Sequence, residues 1–210
     1  IMVWPQTEED RQYVGERMTE IWRRHNRELK KVNTFIRKRK QKTEFESLFL
    51  KLYPGFAGQA QEALAMLEAS EYEALYQDSI DAGKMCHGNY NQHNIYFLGK
   101  KQIFTTNFEK CGYDIPVNDL YQFIRKIMEK QEWQTGIAGK MVNAYERTKP
   151  LSDREWHYLK IRLCYPEKFW KLANQYYNCR KSCISCKNGE KLKKLAFQEE
   201  KRRVFLRQIR

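Results

Sequence analysis

No run of apolar residues comes near the roughly 18 that a membrane-spanning helix requires, and no stretch reads as a secretory signal. The first residue is Ile1 rather than Met, so the sequence is read as a fragment or a processed form, in which a leader would not be visible. No internal repeat or low-complexity linker divides the 210 residues, which predicts one domain with enough chain for a core. Acidic residues are in short supply: 26 Asp and Glu face 39 Lys and Arg, a formal charge of +13. Aromatic residues are plentiful at 14%, too many for a disordered chain. The six cysteines fall at irregular spacing in a Lys-rich chain, which suits reduced thiols inside a cell rather than a disulfide framework.

The positive charge is uneven. Residues 23–42 hold ten Lys or Arg and one acid, Glu28, and the chain ends in Lys201, Arg202, Arg203, Arg207 and Arg210. Such clusters can meet nucleic acid, phosphates or acidic surfaces. The plainer reading is a solvated helix face, because no base-reading motif accompanies the charge.

Hydrophobic periodicity predicts a mostly helical chain. Residues 7–42 read as one long helix capped by Thr7, with Val14, Met18, Ile21, Trp22, Leu29, Val32 and Ile36 on its apolar side. Residues 44–53 continue helically until Pro54-Gly55 breaks the pattern, and 57–82 form a further helix ended by Gly83. Beyond a central non-helical stretch come helices over 117–131, 135–147 and 153–164, the last opened by the capping box Ser152-Asp153-Arg154-Glu155. Pro166 starts another helix, and a final one covers 188–207.

The non-helical stretch, residues 86–109, organises the rest. Two short apolar or β-branched strands, Ile95–Leu98 and 103–106, are joined through Gly99-Lys100-Lys101. Polar residues gather at the open end of this hairpin: His87, Asn89 and Asn94 before it, Asn107 and Glu109 after it. Two polar clusters brought together by a hairpin and framed by helices suit a phosphoryl-transfer site. The protein-kinase catalytic loop is similar, with His-Arg-Asp, four residues, Asn, and then a metal-binding Asp-Phe-Gly. There an Asp carboxylate orients the acceptor hydroxyl and can take its proton, while the Asn and the second Asp bind Mg²⁺. Here Asn89 stands at the base position and Asn107 at the principal metal position. A neutral amide is no base near pH 7 and is a poorer ligand for a hard cation. Asn94 keeps its place as a possible ligand, and Glu109 would share a side with Asn107 if that segment stays extended.

Two further features need weighing. Asp119 opens the helix after the hairpin, either as an ordinary helix-start acid or as the acid that holds the loop backbone. Cys179, Cys183 and Cys186 have the spacing that binds an iron–sulfur cluster in radical-SAM enzymes, and three thiolates can also hold zinc. No following α/β-barrel pattern supports the cluster, so an incidental or structural reading is preferred.

The stretch Cys86-His87-Gly88-Asn89-Tyr90-Asn91-Gln92-His93-Asn94 resembles the His-Gly-Asp-x4-Asn signature of the aminoglycoside phosphotransferase and choline kinase superfamily. More closely, the chain resembles the CotS family of bacterial spore-coat proteins. The likeness extends through Asn107-Phe108-Glu109, through 117–126 and 147–152, and most specifically through 165–174. It implies a mainly α, α+β fold: a kinase-like C-lobe spanning residues 1–210, with a small hairpin carrying the catalytic-loop equivalent. The family's N-lobe, with its Gly-rich loop and anchoring lysine, would precede Ile1. His87 and Asn89 become the catalytic-loop equivalents, Asn94, Asn107 and Glu109 the nucleotide and metal positions, and Asp119 the loop support. Asn at both acidic positions implies a pseudokinase that acts by interaction within the spore coat, made in the cytoplasm, with other coat proteins as partners. Two alternatives stay open. One is a weak phosphotransferase acting on a small-molecule or protein hydroxyl, using ATP and Mg²⁺ when the N-lobe is present. The other is a basic-surface binder of nucleic acid or another polyanion, of which nucleic acid is the less expected. The surface that would meet the N-lobe is expected to be partly apolar and to drive self-association.

Overall fold

The computed structural model describes residues 13–99, 102–178 and 186–209. In chain order the elements are α1 (Met18–Lys38), α2 (Glu44–Glu68), α3 (Tyr72–Asp81), β1 (Met85–Cys86), β2 (Ile95–Leu98), β3 (Gln102–Thr105), β4 (Gly112–Tyr113), α4 (Val117–Lys130), α5 (Thr135–Glu146), α6 (Asp153–Cys164), α7 (Glu167–Asn178) and α8 (Cys186–Gln208). The expected helix-rich architecture is present, with two small antiparallel sheets, β1–β4 and β2–β3. Among the described residues no helix is long and apolar enough to cross a membrane. Thr7, the turn residues Lys100 and Lys101, and Cys179 and Cys183 of the cysteine motif lie outside the described residues.

The helices pack because each carries an apolar stripe at helical spacing. On α1 the buried positions are Trp22, His25, Leu29, Val32 and Ile36, three or four residues apart. They meet α2 and α7, where aromatic rings interleave. Phe169 of α7 stacks on Phe49 and Phe56 of α2, and Trp22 lies flat on Tyr165 at 4.2 Å. Glu46 is fully buried in the first turn of α2 because its carboxylate has three partners: the Tyr176 hydroxyl, the Arg39 guanidinium and the Thr43 backbone N–H. Helix α6 sits centrally and touches α2, α3, α4 and α8. It joins the helical half of the molecule to α4, the helix that carries the site.

Four helix boundaries differ by more than two residues from the sequence reading, each for an identifiable physical reason. Among the described residues the first helix begins at Met18, because Val14 and Gly15 just before it are tied to a strand. Val14 bridges Tyr113 and the Gly15 N–H donates to the Tyr113 carbonyl at 2.9 Å, so loop 111–116 contains the short strand β4. The same helix stops at Lys38, where Thr43 and Glu46 form a capping box for the next one. Pro54-Gly55 does not break α2. A proline inside a helix forfeits a hydrogen bond and costs about 3 kcal/mol, but Phe49, Phe56, Ala60, Ala63 and Leu67 form one buried line across it. Burial of that line, at ~1.5–3 kcal/mol per large side chain, outweighs the loss. Conversely, the helix expected over 57–82 is split at Ser70. Its hydroxyl donates to the Leu67 carbonyl and accepts from the Tyr72 N–H, ending α2 and starting α3.

The hairpin β2–β3 pairs Ile95 with Thr105 through Leu98 with Gln102, so its second strand starts one residue earlier than expected. Tyr96, Leu98 and Phe104 on one face of this ribbon and Phe97 and Ile103 on the other are each 50–73% exposed, apolar surface of the kind expected where another lobe would sit. The chain should therefore self-associate at micromolar concentration. Light scattering should show a mass above the monomer that falls toward it in Phe97→Ser/Phe104→Ser; a wild-type protein that stays monomeric would remove this expectation.

His25 sets a pH dependence. Its ring lies on Trp170 at 3.3 Å, and burial pushes the imidazole down to about 4, with Arg24, Lys171 and Arg162 adding to the effect and Glu167 opposing it. Between pH 6.5 and 4 the unfolded chain binds a proton there that the folded chain refuses, so this group lowers stability as pH falls. Asp114 acts with the opposite sign. Burial pushes its carboxyl up to about 6, against the Ile115 N–H, Arg162 and Asn118, so the folded chain takes a proton first as pH falls. The difference between wild type and His25→Phe isolates the histidine. The melting temperature of the variant should drop less than that of wild type between pH 7 and pH 4.5; equal drops would mean that the imidazole is not held neutral.

Candidate functional site

The polar cluster is built from the first turn of α4 outward. Asp119 sits there with its carboxylate turned to the loop after β1, where it accepts the backbone N–H of His87 at 2.6 Å and of Gly88 at 3.0 Å. Burial raises the Asp119 carboxyl, while these two amides act in the other direction. One turn along the same helix face, the Gln122 side-chain amide donates to the Gly88 carbonyl at 3.0 Å. Gly88 itself has φ +72°, and a Cβ there would run into the Lys110 carbonyl, so only glycine fits. The contact lays the loop against the chain that leaves the hairpin.

His87 then ties the two sides of the hairpin together. The Asn89 N–H donates to its Nδ1 at 3.1 Å, which leaves the ring proton on Nε2, donated to the Thr106 carbonyl at 2.8 Å. Phe108 packs on the imidazole with ring centres 4.6 Å apart. The Thr106 N–H donates to the Asn94 carbonyl at 3.0 Å, one rung beyond the β2–β3 ladder, which sets Asn94 beside the start of Asn107-Phe108-Glu109. Asn94 is buried, and its side-chain amide donates to the Asn89 carbonyl at 2.8 Å. Asn91 donates to the same carbonyl and accepts the His93 N–H. The structure thus links His87, Asn89, Asn94 and Asp119 through direct hydrogen bonds and brings Asn107 next to their rung.

Glu109 is placed differently from the extended case. Asn107 has φ +66°, in the left-handed region that Asn tolerates, and Glu109 lies in a turn closed by the Cys111 N–H on the Phe108 carbonyl at 2.9 Å. Strand alternation therefore does not put Glu109 on the side of Asn107. Both residues are exposed.

Beside the loop opens a cleft of about 800 Å³ lined by Met85, Tyr90, Ile103, Phe108, Phe123 and Tyr145, with His87 and Asp119 at its polar edge. Cys86 is buried with its thiol donating to the Ile115 carbonyl at 3.2 Å, and burial pushes its pKa up.

The donor set matches Mg²⁺-ATP poorly. Asn94 has spent its N–H on the loop and keeps a neutral carbonyl, as do Asn89 and Asn107, whereas a hard dication is held by carboxylates. Among the described residues, no group of three His, Cys, Asp or Glu side chains is placed to hold a metal. The roles of Gln122, Asn91 and the His87–Phe108 contact are not among those read from the sequence. Gln122 had a readable signal, its three-residue spacing from Asp119 on a helix; the other two depend on how the loop closes.

The loop's dependence on Asp119 is measurable. Removing the carboxylate in Asp119→Ala leaves two amides unpaired and should cost about 2–4 kcal/mol in urea unfolding. Asp119→Asn keeps one acceptor oxygen and should cost about half as much. An Ala variant within about 0.5 kcal/mol of wild type, the range of ordinary surface substitutions, would show that other contacts hold the loop.

Comparison with known proteins agrees with this geometry. Spore coat protein S of Bacillus subtilis (strain 168) is 27% identical over 134 residues, covering 63% of this chain and 38% of its own. The crystal structure of an aminoglycoside phosphotransferase from Alicyclobacillus acidocaldarius subsp. acidocaldarius DSM 446 matches with a TM-score of 0.85 at 20% identity, over 95% of this chain and 59% of that one. At that identity the likeness speaks for the fold, which is kinase-like. The chain spans less than two thirds of the length of either relative. The profile of the family described as "Spore coat putative kinase YutH" matches residues 3–209, nearly the whole sequence, so the chain belongs to that family of bacterial spore-coat proteins.

Proposed function

We propose that residues 1–210 act as the C-terminal lobe of a kinase-fold coat protein that works as a pseudokinase, a scaffold held in the spore coat by contacts with other coat proteins. The observation that carries this reading is the pairing of a fully supported loop with neutral side chains at both acidic positions, Asn89 and Asn107. The backbone geometry of a catalytic loop is kept by Asp119, His87 and Asn94. The charges that would hold a metal and take a proton are not. A residual phosphotransferase is the second reading, favoured by that same order. Phosphoryl transfer leans on positioning and electrostatics more than on a base, so Asn89 alone need not abolish it. In that case Glu109 and Asn94 would have to supply the metal contacts.

Calorimetric titration of ATP with and without Mg²⁺ separates the two, with wild type measured beside Asn89→Asp/Asn107→Asp in the longest natural form that contains these residues. The scaffold reading expects Mg²⁺-dependent binding in the double variant only. Binding of Mg²⁺-ATP by wild type as tightly as by the variant would overturn it in favour of the enzyme.

A further inference from the structure

Helix α1 carries two kinds of positive charge. In its second turn the arginines are neutralised: Arg23 pairs with Glu20 and Glu68, and Arg24 with Glu16. From the third turn on, Arg27, Lys30, Lys31 and Lys38 lie on the exposed face opposite the buried stripe, and none of them has an ion pair among the described residues. Glu28, the only acid within 23–42, is engaged by the Trp170 indole N–H at 2.8 Å. The stretch 179–185, which follows in sequence, contains no acid. The other basic cluster behaves differently, since Lys201 meets Glu132, Arg203 meets Glu199 and Arg207 meets Glu200.

These cations frame a groove of about 530 Å³ whose wall is a pair of exposed rings. Phe35 and Tyr177 meet edge to face at 5.6 Å and are 45% and 48% exposed. Helix stability does not explain the arrangement. Lys38 in the last turn complements the helix dipole, but Arg27, Lys30 and Lys31 are in the interior, where like charges three and four apart repel. Nor does stability call for two aromatic rings left in water beside them.

We propose that this groove docks an acidic protein segment carrying an aromatic or large apolar side chain, which enters the Phe35–Tyr177 notch while its carboxylates meet the four cations. Single-stranded nucleic acid fits less well, because it is recognised by successive flat stacking platforms along a basic track. Here two rings stand perpendicular and offer a single notch. That the segment belongs to another coat protein rests on the scaffold reading above; the chemistry of the groove does not, and the measurement below is independent of the ATP titration.

The test is fluorescence anisotropy with a labelled random copolymer of glutamate and tyrosine, beside poly-glutamate and oligo(dT). The copolymer should bind more tightly than either, with affinity falling as salt rises. Lys30→Glu/Lys31→Glu/Lys38→Glu should weaken it by about tenfold or more, the sum of several exposed charge contacts. Phe35→Ala/Tyr177→Ala should erase the preference for the copolymer over poly-glutamate. Lys201→Glu/Arg203→Glu/Arg207→Glu should have little effect. All the altered side chains are exposed, and circular dichroism checks folding. Four results would overturn the proposal: unchanged binding in the α1 variant, an equal loss in the C-terminal variant, tighter binding of oligo(dT) than of the copolymer, or markedly tighter copolymer binding when residues 1–12 are removed. The last would assign the groove to the chain's own Glu8-Glu9-Asp10 stretch.

Discussion

One carboxylate holds the polar centre of this molecule in place. Asp119 takes two successive backbone amides, and everything beyond them follows from where those amides are put. The first fixes His87, whose ring spans to the Thr106 carbonyl; the second fixes Gly88, whose left-handed turn is possible only without a side chain. Asp119 can do this because α4 is itself anchored from below. Asn118, its neighbour, is clamped between the Tyr158 hydroxyl of α6 and the Asp114 carboxylate. A chain of polar contacts thus runs from the centre of the helical core to the loop, each buried group having a partner, as low-dielectric surroundings require.

Neutral amides at positions 89 and 107 suit this background. Asn and Asp have nearly the same shape, so Asn89 and Asn107 preserve the backbone paths. With acids at 89 and 107, the three carboxylates, Asp119 included, would repel one another unless a cation compensated them, and each would raise the others' proton affinity. With neutral amides the loop carries no such debt. Asn89 gives its N–H to His87 and its carbonyl to Asn91 and Asn94, so its backbone is bonded on both sides. The arrangement is self-contained in a way that an acidic one is not. Family membership and fold are established by the match over residues 3–209 and by the structural likeness to a phosphotransferase; the chemistry of the loop is what the proposed scaffold role rests on.

Much of this was readable from sequence because the signals were local. The helices over 117–131, 135–147 and 153–164 were set by periodicity and by one capping box, and the structure places them within a residue or two. The hairpin was legible from its β-branched and aromatic residues. What could not be read was decided by contacts between distant segments. Pro54 reads as a helix end, and it is the buried line of α2, with Phe49 and Phe56 stacked on Phe169 of α7, that carries the helix through it. The strand pairing of Val14 with Tyr113 likewise had no local sign. In the site, the loop residues follow from their spacing, and the role of Asp119 only from the family resemblance. The position of Glu109 was not, because it turns on the left-handed backbone of Asn107, a choice among permitted conformations that sequence leaves open.

The bonding of the loop has a thermodynamic consequence for whatever meets it. The backbone N–H groups of His87, Gly88 and Asn89 are all engaged within the molecule, to Asp119 twice and to an imidazole once. Fixing a residue's backbone costs about 1–2 kcal/mol of conformational entropy, and here that ordering happens when the chain folds, with no ligand required. A partner arriving at this face finds a surface already rigid and loses no affinity to ordering it. Such a loop behaves as part of the core although it lies at the surface, and its amides should exchange with solvent on the timescale of global unfolding rather than of loop motion.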